Sequence, residues 1–171
     1  MGLLLLMGLQ CVLPSNGVCG LRLDFPEQKT RAFRTTGTSR GNMKKATDLP
    51  ICVTALLWRD GLVLSVSRKD NPTKLGLPGG KVEPGESLLQ ALGRELKEET
   101  GVEALSVEMV FGAVSSSGKF YSYTYHVSEW LGKPKSVEAG VVGWVKPETL
   151  VKRGQPFAPY NRALFRELGA L

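Results

Sequence analysis

Several kinds of functional chemistry are scarce in this chain of 171 residues. There is one histidine, His126, in a strand-like run; a single imidazole excludes a multi-histidine metal site and leaves a Ser/His/Asp triad only one possible base. The three cysteines, Cys11, Cys19 and Cys52, are odd in number and lack ligand-type spacing, which argues against a disulfide framework or a zinc knuckle and for a reducing compartment. No apolar run is long enough to span a bilayer, the opening MGLLLLMGLQCVLP included. There is no internal repeat and no low-complexity tract.

Charge is present but not concentrated. The formal net charge of +6 divides evenly: five Lys/Arg face two acids in residues 1–42, and seventeen face fourteen in residues 43–171. So mild a balance favours small anionic molecules and gives no argument for a nucleic-acid groove. With 42% apolar content the chain can build one domain with a real core, and composition sets residues 1–45 apart as a leader or disordered extension. Three accounts of that extension compete: a weak export signal without a basic start, an organelle-targeting peptide, or an upstream extension before Met43. The domain over 46–171 carries no membrane segment, and the expected location is cytoplasmic.

From Ile51 onward, ICVTALLW and LVLSVS read as β-rich runs joined in a hairpin at Arg59-Asp60-Gly61. RKDNPTKLG reads as a loop, and the glycines and proline of LPGGKVEPGE exclude regular structure while letting backbone approach a ligand closely. A helix is expected from an N-cap at Ser87 to Thr100, ended by a left-handed Gly101. LSVEMVFGAVS and FYSYTYHVSEW form a second hairpin, with Tyr121, Tyr123 and Tyr125 on one face. GVVGWVK adds a strand stopped by Pro147, and PFAPYNRALFREL closes the chain with a short amphipathic helix. Strands and helices mixed without strict alternation indicate an α+β or mixed-sheet α/β domain.

The 87–100 helix poses a chemical problem. At about 100° per residue, Leu88, Leu89, Leu92 and Leu96 share one arc, and Glu95 and Glu99 fall inside or beside it, with Glu98 at its edge. Burying uncompensated carboxylates costs several kcal/mol each. Arg94 can pair with one of them. A hard, oxygen-preferring divalent cation, Mg²⁺ or Mn²⁺, resolves the remaining burial and repulsion together. An acidic, surface-facing helix end is the plain alternative for those residues alone.

The wider spacing favours the cation. Gly80, five residues, Glu86, seven residues, Arg94-Glu95-Leu96, one residue, Glu98-Glu99, one residue, Gly101-Val102 matches the Nudix box at every defined position. From about Ile51 to Leu171 the chain resembles a Nudix hydrolase, and in several features the MutT-like branch acting on nucleoside triphosphates. The resemblance implies an α/β/α sandwich around a mixed β-sheet. It implies that Glu95, Glu98 and Glu99 are metal-binding and catalytic, that Arg94 orients them, and that Glu86 is the loop-side glutamate. A backbone carbonyl of Gly79 or Gly80 is a further ligand candidate. Glu138, six residues before Trp144, corresponds to the MutT-type glutamate outside the box, as metal ligand or general base; a solvated loop acid is its alternative.

FAPYN resembles the MutT-type Phe-x-Pro-x-Asn segment, which makes Asn161 a candidate purine reader; an ordinary helix cap is the alternative. Tyr123 and its row are candidates for the nucleobase pocket, or else core. Lys81 and Arg68 are candidates for phosphate contacts, or else surface charge. The implied reaction is Mg²⁺- or Mn²⁺-dependent substitution at phosphorus in a nucleoside triphosphate such as 8-oxo-dGTP, releasing pyrophosphate. An ADP-ribose or dinucleotide pyrophosphatase is the rival within the fold, although no proline lies between Gly101 and Pro134 as ADP-ribose enzymes have it. A non-catalytic nucleotide-binding module is the rival outside enzymology, and a structural acidic helix on an unrelated fold is a third.

Overall fold

The computed structural model describes residues 49–138 and 140–171; the expected 1–45 extension lies outside the described residues. Two four-stranded sheets form the centre. The first has the order β5 (Gly79–Lys81), β1 (Ile51–Leu56), β7 (Tyr121–Leu131), β6 (Glu103–Val114), with β1 parallel to β7 and the other pairs antiparallel. The second is antiparallel and centres on β3 (Leu62–Arg68), which pairs with β2 (Trp58–Arg59), β4 (Asn71–Gly76) and β8 (Val142–Val145). The mixed sheet lies between helices, as the α/β/α expectation requires.

Helix α1 (Leu88–Thr100) forms where the sequence places it. Ser87 Oγ accepts the Gln90 N–H while Gln90 Oε1 accepts the Ser87 N–H, a reciprocal capping box, and Gly101 closes the far end at φ 69°. Its apolar arc is buried: Ala91, Leu92 and Leu96 pack with Val53, Ala55, Val102, Tyr125 and Val127. Each buried leucine contributes about 1.5–3 kcal/mol relative to exposure, which fixes the helix's rotation and so aims its glutamates. On the opposite side, Leu56, Val63 and Leu77 meet Leu150, at the end of α2 (Pro147–Leu150), and Leu164 and Phe165 of α3 (Ala158–Glu167). Pro147 therefore stops β8 by starting a helix, where its missing N–H costs nothing.

Three local expectations are corrected. The first hairpin is only β2–β3, turned at Asp60 (φ 53°) and Gly61 (φ 74°), because β1 crosses to the other sheet at the fully buried Leu57. The stretch RKDNPTKLG is no loop: residues 71–76 form β4, an edge strand, where Pro72 is tolerated. Gly79 and Gly80 do sit in regular structure, pairing with Thr54 and Val53 as β5. The close approach inferred from them is real, but its partner is the chain itself: a Cβ on Gly79 would lie 2.1 Å from the Val53 carbonyl oxygen. No helix among the described residues is long and apolar enough to cross a membrane.

Candidate active site

Arg94 organises the carboxylates at the end of α1. Its Nε and Nη2 donate to the two oxygens of Glu86 at 2.7 and 2.9 Å, its Nη1 to Glu95 at 2.9 Å and Glu98 at 3.3 Å, and its Nη2 also to the Lys81 carbonyl at 3.0 Å. These bonds hold Arg94 charged and pull the Glu86 carboxyl down to about 2. The Glu95 carboxylate lies against Gly80, where a Cβ would come within 2.2 Å of Oε1. Only glycine leaves that space.

Glu99, one turn on, is treated differently. Its Oε2 accepts the Gly79 N–H at 2.8 Å, yet burial pushes its carboxyl up to about 7, reinforced by the negative charges of Glu95 and Glu138 and opposed by Gly79 and Lys69. Glu138 reaches the same place from the segment before β8. It pairs with Lys69 Nζ at 2.6 Å and shares with Glu99, Ser67 and Lys69 a small cavity of about 20 Å³. Val141 is pinned to β3 by its N–H, which donates to Ser67 Oγ at 2.8 Å, and by its carbonyl, which accepts the Ser67 N–H at 2.8 Å, while Ser136 Oγ donates to the Gly140 carbonyl at 3.0 Å.

Glu99 also borders a larger cleft of about 380 Å³, walled by Gly79, Arg68, Lys69, Lys74 and Phe157. The two cavities share Ser67, Lys69 and Glu99, and the larger is lined by Arg68, Lys69 and Lys74 together with Asp70. Three cations along one cleft suit an anionic ligand. Among the described residues no three acidic, histidine or cysteine side chains converge as a finished metal shell, since Arg94 holds Glu95 and Glu98. The donor chemistry still fits a hard divalent ion. Every donor is an oxygen, Glu95 has room beside Gly80, and Glu99 is a half-buried carboxylate with one backbone N–H as its hydrogen-bond partner.

The structure brings Glu95, Glu98, Glu99, Arg94, Gly80 and Glu138 to one side of the molecule. Arg68 lines the large cleft, paired with Asp70 at 2.9 Å. Lys81 lies elsewhere, its Nζ 5.4 Å from the Phe120 ring centroid. Tyr123 packs against the α1-side core and tilts on Tyr121 at 4.9 Å, lining neither cavity. Asn161 is 2% exposed within α3, donates from Nδ2 to the Leu150 carbonyl at 3.4 Å and also lines neither cavity. Its cap alternative fails as well, because Phe157 occupies the N-cap position. Lys69, Lys74 and Phe157 were not singled out from sequence. Phe157 has a signal, as the first residue of FAPYN; the two lysines have none, because the sequence RKDNPTKLG reads as a loop.

A capped glutamate helix is thus set against a glycine strand, with a cleft lined by Arg68, Lys69 and Lys74 beside it. The NUDIX domain family model matches residues 48–168, and the chain belongs to the Nudix hydrolase family. Among its relatives is a CTP pyrophosphohydrolase of Escherichia coli, 36% identical over 124 residues covering 70% of this chain and 90% of the relative. An 8-oxo-dGTP diphosphatase of Haemophilus influenzae is 38% identical over 102 residues, 58% of this chain and 74% of that protein. A crystal structure of a MutT Nudix hydrolase from Burkholderia pseudomallei superposes with a TM-score of 0.59 at 25% identity, covering 71% of this chain and 98% of that one.

Proposed function

We propose that the protein is a divalent-metal-dependent pyrophosphohydrolase that cleaves a nucleoside triphosphate, including an oxidised purine such as 8-oxo-dGTP, to the monophosphate and pyrophosphate. The observation that carries this is the position of Glu99, shared by the small cavity and the cleft lined by Arg68, Lys69 and Lys74. Glu95, Glu98, Glu99, Glu138 and the Gly80 carbonyl are the groups that would hold Mg²⁺ or Mn²⁺. Held there, such an ion would supply charge screening for the polyphosphate and Lewis acidity for hydrolysis. Arg94 keeps the glutamates of α1 in place through bonds to Glu86 and the Lys81 carbonyl, so the helix end and β5 act as one body.

Arg68, Lys69 and Lys74 offset phosphate charge along the cleft, and Lys81 contributes only at longer range. Glu138, at the mouth of the small cavity, takes the proton of the attacking water on a carboxylate oxygen. Water adds to phosphorus as the bridging P–O bond breaks, and pyrophosphate departs. Asn161 is assigned to holding α3 on α2, and Tyr123 to the core. Cys52 is free, and a cytoplasmic location accords with it.

A relative named as an ADP-ribose pyrophosphatase, from Methanocaldococcus jannaschii, is 41% identical over 68 residues. The test is therefore a panel of normal and oxidised nucleoside triphosphates, ADP-ribose and diadenosine polyphosphates, with Mg²⁺ or Mn²⁺, scored by product. Monophosphate plus pyrophosphate from a triphosphate is the expected result. Turnover of ADP-ribose alone rejects the triphosphate reading.

A further inference from the structure

An exposed aromatic lines the cleft. Phe157 is 47% exposed, yet one side of its ring rests on β4: a Cβ on Gly76 would lie 3.2 Å from Phe157 Cδ2. The ring also lines the cleft, with Gly76 beside it. The exposed part of the ring is flat apolar surface that a ligand in that cleft could cover.

What holds Phe157 there is a side-chain amide. Gln155 Oε1 accepts the Leu75 N–H at 2.8 Å, and Gln155 Nε2 donates to the Thr73 carbonyl at 3.1 Å. Residues 73 and 75 present their backbone groups along the outer edge of β4, so the carboxamide stands in for a neighbouring strand. Lys74 Nζ adds a bond to the Gly154 carbonyl, fastening the same connection between α2 and α3. Two residues beyond Gln155 the chain enters α3 at Phe157, and the Ala158 N–H bonds back to the Gln155 carbonyl at 3.3 Å. The clamp and the ring are thus joined by a short, internally bonded turn. A connection of this kind would otherwise be free to lift from the sheet edge.

We propose that Gln155 is a positioning residue for nucleoside recognition: by pairing with the edge of β4 it sets the Phe157 ring as the stacking wall against which a substrate's base lies. The inference rests on the nucleoside triphosphate reading above. Stacking is tolerant of base identity, so this wall supplies affinity for nucleosides as a class over bare polyphosphate.

The test compares Gln155→Ala, Gln155→Glu, Phe157→Ala and the Gln155→Ala/Phe157→Ala double variant. Each is assayed for KM and kcat on a purine nucleoside triphosphate and for Ki of inorganic tripolyphosphate as competitor. Phe157→Ala is expected to raise KM roughly tenfold. Gln155→Ala should follow it, and the double variant should be no worse than Phe157→Ala alone, because both remove one interaction. The tripolyphosphate Ki should stay put. Gln155→Glu keeps the Leu75 bond, loses the Thr73 bond and should fall between; it also covers the case that Gln155→Ala fails to fold. Multiplying KM effects in the double variant, or a Ki that shifts with KM, makes Gln155 merely structural and overturns the proposal. If the wild-type protein cleaves no triphosphate, the function reading has failed instead, and the same four variants are compared by calorimetric Kd for a non-hydrolysable nucleoside triphosphate.

Discussion

Glu99 is the residue on which sequence and structure converge most closely. The helical wheel turns it inward, and the fold half-buries it with one backbone hydrogen bond. Its carboxyl, raised to about 7, makes a stability prediction for the metal-free protein. Between the ordinary carboxylate range and about 7 the folded state binds more protons at this site than the unfolded state. Stability from this group therefore falls as pH rises through that window, by at most a few kcal/mol. Glu99→Gln should flatten that dependence and raise the metal-free melting temperature at pH above 7, measured by thermal unfolding with chelator. A lowered melting temperature there contradicts the burial argument. Asn161 shows the limit of residue-level reading: FAPYN identifies a position, but not whether its amide faces ligand or core. Asn161→Ala should leave the Leu150 carbonyl without its buried partner and cost about 1–3 kcal/mol, read as a lower denaturation midpoint. A KM rise confined to purines, with stability unchanged, would restore the base-reading role.

Among the elements, α1 was legible because its signals are local: a serine cap with Gln90 three residues on, a leucine arc, a terminal glycine. β4 and β5 were not, because Pro72 and the paired glycines argue locally against strands, and only the neighbours β3 and β1 override them. The parting of β1 from β2 is likewise a tertiary event, with Leu57 buried at the crossing. The two glycines of β5 should respond differently to a methyl group. Gly79→Ala meets the Val53 backbone at 2.1 Å and a φ of +146°, and should prevent folding or cost several kcal/mol. Gly80→Ala meets the Glu95 carboxylate, a side-chain end held by Arg94 rather than backbone, so the melting temperature should fall less than for Gly79→Ala while hydrolysis falls at least tenfold through the displaced carboxylate. Unfolding and activity assays on the pair separate scaffold from site; equal losses of stability would remove the special role of Gly80.

At the scale of the whole molecule, the box spacing made the fold and the glutamate site readable, because it encodes one rigid unit of strand, loop and helix. The cleft was only partly readable. Its walls come from β3, β4, the end of α1 and the connection before α3, which no sequence window contains together. Lys69 illustrates this: it lies in a segment read as loop, yet it pairs with Glu138 and lines both cavities. Arg68, found from sequence, and Phe157, missed, line one wall system although nearly ninety positions separate them.

The account turns on α1 presenting its carboxylates to a divalent ion that joins them to a phosphate chain. The most direct measurement is cleavage of a nucleoside triphosphate by the full chain with Mg²⁺ or with chelator, alongside Glu98→Gln and Glu99→Gln. We expect pyrophosphate release only with the ion, and a loss of roughly a hundredfold or more in each variant. Undiminished cleavage in chelator, or wild-type rates in both variants, would contradict it.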